Sequence, residues 1–183
     1  MQRRIFYYQT LKIMKPNATA LANHFIDLAM QNNVELRQFG LMKRVYIAHG
    51  FCLAMLNKSA LNPRFDWVEA WSNGPVIPSV YHSFKYNRNN AIKEKTVISI
   101  FEGTNIRWEE PILEDKEIKI VANAVWERYK DYTDFQLIEM LHQKGSPWDA
   151  FYEDGKNNLI PDDYTQIYYQ KLLNYGRIAA GIK

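Results

Sequence analysis

The chain has only one cysteine, Cys52, so it cannot form an intrachain disulfide. Proteins that depend on disulfides are typical of oxidising compartments, and this composition therefore favours a reducing one. Cys52 lies in an apolar run over residues 46–56 and has no positive charge beside it in the sequence. Because a reactive thiolate needs nearby positive charge and partial exposure, we expect Cys52 to be a small buried side chain.

The sequence also lacks a long apolar run. No stretch approaches the roughly 18 uncharged apolar residues that a membrane-spanning helix needs. The N-terminus begins with two arginines and four apolar residues, but no small-residue cleavage site of a signal peptide follows. We therefore expect a cytoplasmic protein that has no membrane partner.

The sequence has only a small excess of basic residues, with a net charge of +3. Arg3, Arg4, Lys12 and Lys15 lie in residues 1–16, which contain no acid, so 19 basic and 20 acidic residues remain in the rest. Nucleic-acid-binding domains carry a clear positive footprint. We therefore expect no nucleic-acid partner for the body of the chain and regard residues 1–16 as a basic N-terminal leader.

The chain has two possible first residues, Met1 and Met14. Met14 is followed by Lys15 and Pro16, which is a plausible beginning for a compact bacterial domain. Residues 1–13 are therefore either a genuine appendage or an upstream extension. As a basic appendage they would support an alternative function that includes nucleic-acid contacts.

Sequence motifs of catalysis are missing as well. The chain contains no P-loop, no GxGxxG and no GxSxG. Its histidines, His24, His49, His82 and His142, are never three or four residues apart, so they form no HExxH-like metal pair. One cysteine offers no thiolate set for zinc. We expect no enzyme activity, no cofactor and no metal.

One catalytic alternative stays open. His49 lies in an apolar helix, and we interpret it as a hydrogen-bonded core residue. Three adjacent carboxylate pairs, Glu109-Glu110, Glu114-Asp115 and Asp162-Asp163, occur where solvated side chains are common. A hydrolase would require a cleft in which His49 or His82 meets a carboxylate within hydrogen-bonding distance.

Apolar periodicity predicts a mainly α fold. Leu21, Phe25 and Leu28 recur at helical spacing after a possible N-cap at Asn17. A second helix, from residue 37 or 38 to about residue 56, is apolar on most sides and belongs in the middle of a bundle. Gly50 within it costs helix propensity and is expected to allow another element to approach closely.

Five further helices are predicted along the chain. The Thr133-x-x-Gln136 sequence is a capping box, and Ser146-Pro147 places a capping residue before a first-turn proline. The predicted helices run from Pro78 to Tyr86, from Lys116 to Tyr129, from Thr133, from Ser146 and from Ile160. We therefore predict a compact helical bundle of six to seven helices with a small antiparallel β element.

Residues 66–71 alternate between two sides of a short strand. Trp67, Glu69 and Trp71 share one side, and Val68 and Ala70 share the other. The following Asn73-Gly74-Pro75 is a turn, in which glycine can adopt a positive φ. Residues 95–101 and 106–108 predict a second pair of strands, joined by a turn at residues 103–105.

Three groups of residues, taken together, resemble one family. They are residues 22–29 and 41–51 (ANHFIDLA and LMKRVYIAHGF), residues 69–81 (EAWSNGPVIPSVY) and residues 145–151 (GSPWDAF). In this order they are similar to the Panacea domain of SocA-like antitoxins and of phage-associated proteins of the GepA type. The resemblance covers roughly residues 17 to 175, and the segment 69–81 is its most specific part.

The resemblance implies that residues 17–183 form one Panacea (SocA-like) domain. It implies an antitoxin of a bacterial or prophage type II-like toxin–antitoxin system, which neutralises its cognate toxin by direct binding. The toxin is then expected to be encoded by the adjacent gene. The alternative is a phage-associated regulatory protein, or an adaptor that delivers its toxin to a cellular protease.

We interpret the central segment as a rigid structural corner. Its key residues are Trp71, Gly74, Pro75, Pro78 and Tyr81, which would fix how the strand meets the helices.

The partner-binding surface is expected beside this corner. Lys85, Tyr86 and Arg88 follow at the end of the Pro78 helix, and Arg and Tyr are enriched at interface hot spots. The last helix carries too many tyrosines for one narrow core face, so we expect Tyr168 and Tyr175 to contribute a second contact surface.

Overall fold

The computed structural model describes residues 17–102 and 105–179, and the basic leader, residues 1–16, lies outside this part of the chain. In the described residues the helices are α1 (Asn17–Asn32), α2 (Gln38–Leu56), α3 (Pro78–Phe84), α4 (Lys116–Tyr129), α5 (Asp134–Leu141), α6 (Pro147–Phe151) and α7 (Asp162–Ala179). The strands are β1 (Glu69–Trp71), β2 (Gly74–Val76), β3 (Ile98–Glu102), β4 (Asn105–Glu109) and β5 (Asn158–Leu159). The predicted mainly α fold with a small antiparallel β element is confirmed.

Helix α2 is the centre of the bundle. It packs against α1, α3, α4, α5, α7 and β2, and its burial on nearly all sides explains its apolar sequence. The helix ends at Asn57, whose left-handed conformation (φ 51°) is a common way to terminate a helix. The predicted central helix is therefore confirmed within one residue at its start.

A buried carboxylate closes the first turn of α1. Asp66 Oδ2 accepts hydrogen bonds from the backbone N–H groups of Ala18 (3.1 Å) and Asn62 (3.0 Å), and Oδ1 accepts one from the Ser79 hydroxyl (2.6 Å). A carboxylate at a helix N-terminus binds unpaired N–H groups and favours the helix dipole. Asp66 therefore takes the capping role that the sequence suggested for Asn17, which is the first residue of the helix itself.

The first sheet has the strand order β2-β1-β5 and is antiparallel throughout. Its central strand, β1, begins at Glu69 and is shorter than the predicted strand 66–71. The backbone N–H groups of Phe65 and Asp66 instead donate to the carbonyl of Asn62, whose own N–H donates to the Asp66 carboxylate. Gly74 and Pro75, predicted as a turn, lie in the edge strand β2, where a proline without an N–H is tolerated. Strand β5, which pairs Leu159 with Glu69, was not predicted.

The second sheet is the hairpin β3–β4, close to the predicted strands. Its base is held on α1 by Asn23, whose Nδ2 donates to the carbonyls of Thr96 (3.0 Å) and Pro111 (3.1 Å). The Thr96 N–H donates to Asn23 Oδ1 (2.9 Å) in return. One buried amide therefore fixes both ends of the hairpin.

Helices α4, α5 and α6 begin with side-chain caps. Asp115 accepts from two N–H groups of α4, Thr133 and Gln136 form the predicted capping box of α5, and Ser146 caps α6. At the other end of α4, the buried Arg44 of α2 donates through Nη2 to the carbonyls of Tyr129 (2.7 Å), Lys130 (3.3 Å) and Tyr132 (3.1 Å). A guanidinium at a helix C-terminus satisfies unpaired carbonyls and favours the dipole.

Helix α7 crosses α2 at Gly50. A Cβ atom at Gly50 would lie 2.4 to 2.6 Å from ring atoms of Tyr169, which is buried. The ring also packs edge-on against Tyr46 and Phe51, with centroid distances of 6.1 and 4.9 Å. The expected close approach at Gly50 is therefore confirmed, and Tyr169 is the side chain that makes it.

By length and composition alone α2 resembles a membrane-spanning helix. Most of it is buried inside the protein, as in the core helix of a soluble domain, so this likeness is weak support for a membrane span.

Two glycine substitutions should change stability in opposite directions. Gly50→Ala places a methyl group within the Tyr169 ring and should lower the free energy of unfolding by about 1–3 kcal/mol. Gly176→Ala is the control, because Gly176 lies in α7 with no atom near a new Cβ, and it should raise stability by about 0.5–1 kcal/mol. Urea unfolding followed by circular dichroism measures both, and a stabilised Gly50→Ala would contradict the crossing.

Candidate functional site

The segments that resemble the family meet in space. The indole N–H of Trp148 in α6 donates to the carbonyl of Trp71 at the end of β1 (2.7 Å). The Nζ of Lys43 in α2 donates to the carbonyl of Pro75 in β2 (3.0 Å). Residues 41–51, 69–81 and 145–151 therefore converge on Trp71, Gly74, Pro75, Pro78 and Tyr81, which we call the motif corner.

Gly74 is the tightest point of the motif corner. Its φ of 100° lies where side chains are rarely tolerated. A Cβ atom there would lie 2.9 Å from Lys43 Nζ and 3.1 Å from His142 Nε2. Both the backbone conformation and the neighbouring side chains therefore require glycine.

Pro78 and Tyr81 fix how α3 meets β1. Pro78 occupies the first turn of the helix, where a missing N–H is harmless. Tyr81 packs edge-on against Trp71 at a centroid distance of 4.8 Å, and both rings are half-buried against the core. The corner thus joins β1, β2 and α3.

Lys43 lies beneath the corner in an unusual electrostatic environment. It is fully buried, and this burial lowers its pKa to about 7, although Asp134 acts in the opposite direction. His142 lies beside it, and burial together with the charge of Lys43 lowers the pKa of His142. The corner is therefore built on two basic side chains whose charged forms are disfavoured.

A row of two tryptophans and one carboxylate runs along the outward side of β1 and of the two residues before it. Trp67 Nε1 donates to Glu69 Oε1 (2.7 Å), and Trp71 Nε1 donates to Glu69 Oε2 (2.6 Å). Trp67 is 45% exposed, whereas Val68 and Ala70 on the opposite side are buried. The predicted alternation is confirmed, and the tryptophan side faces solvent.

Further aromatic rings extend this row across α6. The Trp148 ring stacks between His142 (centroid distance 3.6 Å) and Tyr152 (4.5 Å). Together the following residues form what we call the aromatic face: Trp67, Glu69, Trp71, Tyr81, Trp148 and Tyr152. Because rings that are half-buried and hydrogen-bonded lose little freedom on binding, this face is suited to contact with another protein.

Acidic residues border the aromatic face. Residues 145–165 contain Asp149, Glu153, Asp154, Asp162 and Asp163 against a single basic residue, Lys156. This segment touches the row on β1 at two points, through Trp148 at Trp71 and through Leu159 opposite Glu69. Although Asp162 is paired with His49 and Glu153 with Lys156, this segment, which we call the acidic border, keeps an excess of negative charge.

Lys85, Tyr86 and Arg88 lie after α3, at the short 3-10 helix Lys85–Asn87. Tyr86 is 82% exposed, and Lys85 Nζ lies 5.4 Å from the centre of its ring. Arg88 is exposed with a φ of 52°. An open polar cleft of about 600 Å³ adjoins them, lined largely by asparagine and charged residues such as Arg37. It offers polar contacts and few apolar ones.

Tyr168 and Tyr175 lie on α7 and differ in their surroundings. Tyr168 is half-buried, with its ring 5.6 Å from that of Tyr169. Tyr175 is 71% exposed near the end of the helix. The residues chosen from the sequence therefore fall on two separate elements, and neither group includes the aromatic face.

Sequence reasoning missed Trp67, Glu69, Trp148 and Tyr152 as surface residues. A signal for the first two was present, because a glutamate between two tryptophans on one strand side is seldom buried. The strand side that carries Trp67 and Glu69 could therefore have been predicted to face solvent. No comparable signal placed Trp148 beside Trp71, since 77 residues separate them.

His49 does meet a carboxylate, as the hydrolase alternative requires. Its Nε2 lies 3.0 Å from Asp162 Oδ1. Burial alone would raise the pKa of Asp162, but the hydrogen bond and charge of His49 and a hydrogen bond from Ser59 outweigh it and lower this pKa. The imidazole is completely buried between α2 and α7, so the pair links these two helices. His82 is exposed and contacts the Tyr81 ring.

Cys52 and clusters of possible metal ligands are the remaining candidates for chemistry. Cys52 is buried, which raises the pKa of its thiol to about 12 and makes it unreactive. In residues 17–102 and 105–179, no three His, Cys, Asp or Glu side chains come together in a way that could hold a metal ion.

Comparison with known proteins agrees with the motif corner. The chain matches the family described as Antitoxin SocA-like, Panacea domain, over residues 41–149, a range that includes Lys43, the motif corner and Trp148. It is 32% identical to Antitoxin SocA of Caulobacter vibrioides over 148 residues, which cover 78% of this chain and 74% of that protein. No solved structure matches the chain significantly.

Lys43 should make the stability of the protein rise with pH. Between about pH 7 and 10.5 the unfolded chain keeps a proton on Lys43 that the folded chain has lost, so a higher pH favours the folded state. From pH 7.0 to 8.5 we expect the free energy of unfolding to increase by about 1.5 kcal/mol through this group. Lys43→Met should remove this increase.

Urea unfolding of both proteins at several pH values within this window provides the test. His142 titrates below the window because its pKa is lowered. The raised pKa of Cys52 lowers stability only toward the top of the window, and it does so in both proteins, so it cancels in their comparison. Parallel pH profiles for the two proteins would show that Lys43 is charged in the folded state.

Proposed function

The chain belongs to the Panacea family of SocA-like antitoxins, and on that premise we propose that it neutralises a cognate toxin by binding it directly through the aromatic face. The family supports an antitoxin role. The toxin, in our proposal, is the product of the adjacent gene in a bacterium or prophage, and binding takes place in the cytoplasm. Residues 17–183 form the antitoxin domain, and residues 1–16 are a leader outside it.

The observation that carries this proposal is the row of Trp67, Glu69 and Trp71 on the outer side of β1. Tryptophan is enriched among residues that dominate binding energy. Here two of them are exposed or half-exposed while their indole N–H groups are already fixed by one carboxylate. A surface of this kind loses little side-chain entropy when a partner covers it.

The support beneath this row is equally fixed. β1 is hydrogen-bonded between β2 and β5, Trp148 binds the Trp71 carbonyl, and Lys43 binds the Pro75 carbonyl from below. Binding surfaces built on such a framework hold their geometry better than those built on loops. The end of α3 and the exposed part of α7, with Lys85, Tyr86, Arg88, Tyr168 and Tyr175, are proposed as secondary contacts.

A non-catalytic mechanism fits this arrangement. The aromatic face offers hydrogen-bonded indoles and ring surfaces, which suit contact between proteins. The imidazole that meets a carboxylate, His49, is enclosed by α2 and α7 and lies where no substrate reaches it. The protein therefore acts, in our proposal, by covering the toxin.

Co-expression with the adjacent gene tests this function. The wild-type chain should restore growth, and the two proteins should co-elute in size-exclusion chromatography. Trp67→Ala should weaken the complex at least about tenfold, as loss of a hot-spot residue does. Tyr86→Ala tests the secondary contact at the end of α3 and should change affinity less than about threefold. Trp108→Ala is the control, because it removes an exposed tryptophan of β4 that lies outside both proposed surfaces, and it should leave affinity unchanged.

Three other outcomes would contradict the proposal in different ways. Absence of both complex and rescue would exclude neutralisation of this gene product by direct binding. A large effect of Tyr86→Ala with none for Trp67→Ala would move the contact to the end of α3. Rescue accompanied by loss of the toxin protein from the cells would favour delivery to a protease.

A further inference from the structure

The row on β1 has an unused binding capacity at its carboxylate. An ionised carboxylate can accept about four hydrogen bonds, and each oxygen of Glu69 accepts one from an indole. Glu69 is half-buried, and no Lys, Arg or His of the described residues forms an ion pair with it. Its negative charge therefore lies open toward solvent between two tryptophan rings.

The flanking rings change what this carboxylate can bind. Trp67 and Trp71 shield Glu69 on both sides from water, and a charge pair is stronger where water is partly excluded. The indole rings also offer apolar surface and π-electron density to the alkyl stem and head of a basic side chain. A carboxylate between two tryptophans is therefore a site for a cation on a long apolar stem.

Arginine fits this site better than lysine. Its planar guanidinium can bind both carboxylate oxygens in parallel and can stack on an aromatic ring, whereas the ammonium of lysine is a compact, strongly hydrated charge. The two indole bonds hold the carboxylate of Glu69 in one orientation, as a bidentate partner requires. The geometry of the row thus favours a planar cation.

The surroundings point to the same chemistry. The segment 145–165 adjoins the row at Trp71 and at Glu69, and it carries five acids, of which Asp162 is paired with His49, against one base. The only base in it, Lys156, is paired with Glu153 (2.6 Å). A partner that covers both the row and this border must supply positive charge, because unpaired carboxylates are costly to bury.

We infer that Trp67, Glu69 and Trp71 form a receptor for an arginine side chain on a basic surface of the toxin. This inference rests on the proposed function, since it specifies which residue of the partner the aromatic face would receive. The acidic border then provides electrostatic attraction that speeds association, as complementary charges do at other interfaces.

The first test needs no toxin. N-acetyl-arginine amide is titrated into the full chain at low ionic strength, and the five tryptophan indole N–H signals are followed by NMR. N-acetyl-citrulline amide, which has nearly the same shape without the charge, is the control ligand. The arginine compound should shift the signals of Trp67 and Trp71 saturably, and citrulline should need at least a tenfold higher concentration for the same shift.

Glu69→Gln should abolish the arginine-dependent shift, whereas Glu114→Gln, at an exposed glutamate before α4, should leave it unchanged. Unaltered Trp108 and Trp126 signals in Glu69→Gln would show that the variant is folded. Equal shifts with the arginine and citrulline compounds, or no shift at Trp67 and Trp71 in the wild-type chain, would overturn the inference.

The second test uses the product of the adjacent gene and calorimetry. Glu69→Gln should weaken the complex at least about tenfold, as loss of one partner of a charge pair does, and Glu114→Gln should not. Tight binding of wild type and Glu69→Gln alike would overturn the arginine receptor and leave the antitoxin proposal intact. If the wild-type chain forms no complex, the proposed binding of this toxin is excluded, and the titration with the arginine compound still tests whether Trp67, Glu69 and Trp71 bind arginine.

Discussion

Three buried basic side chains of α2 hold the rest of the protein in place. Lys43 binds the Pro75 carbonyl of β2, Arg44 binds three carbonyls at the end of α4, and His49 binds Asp162 at the start of α7. Each is almost completely buried. Because a buried polar group without a partner is costly, each contact specifies where one neighbouring element must lie. Apolar packing alone would leave these positions less defined.

The Lys43 contact matters most for function because it supports the motif corner. A side chain at Gly74 would collide with Lys43 Nζ and the His142 ring, and the strand that begins at Gly74 pairs with β1. The outward side of β1, with Trp67, Glu69 and Trp71, is thereby fixed from beneath. A helix that lies entirely in the core thus determines the geometry of a surface that we assign to the toxin.

Local sequence patterns predicted what local interactions decide. The bounds of α4, the capping box at Thr133 and Gln136 and the burial of Cys52 follow from residues a few positions apart. The capping of α1 by Asp66 did not follow, because 48 residues separate Asp66 from Ala18. The same holds for β5 and for the bond from Trp148 to Trp71. Such contacts depend on how the chain folds back on itself, which periodicity does not encode.

The contact through the aromatic face is tested most directly by hydrogen–deuterium exchange of the chain alone and in complex with the product of the adjacent gene. Exchange should slow on binding at residues 65–68, 72–73 and 152–158, which surround the row on β1 and its acidic border. Slowing confined to residues 85–93 or 170–177, with the surroundings of β1 unchanged, would contradict the aromatic face as the site where the toxin binds.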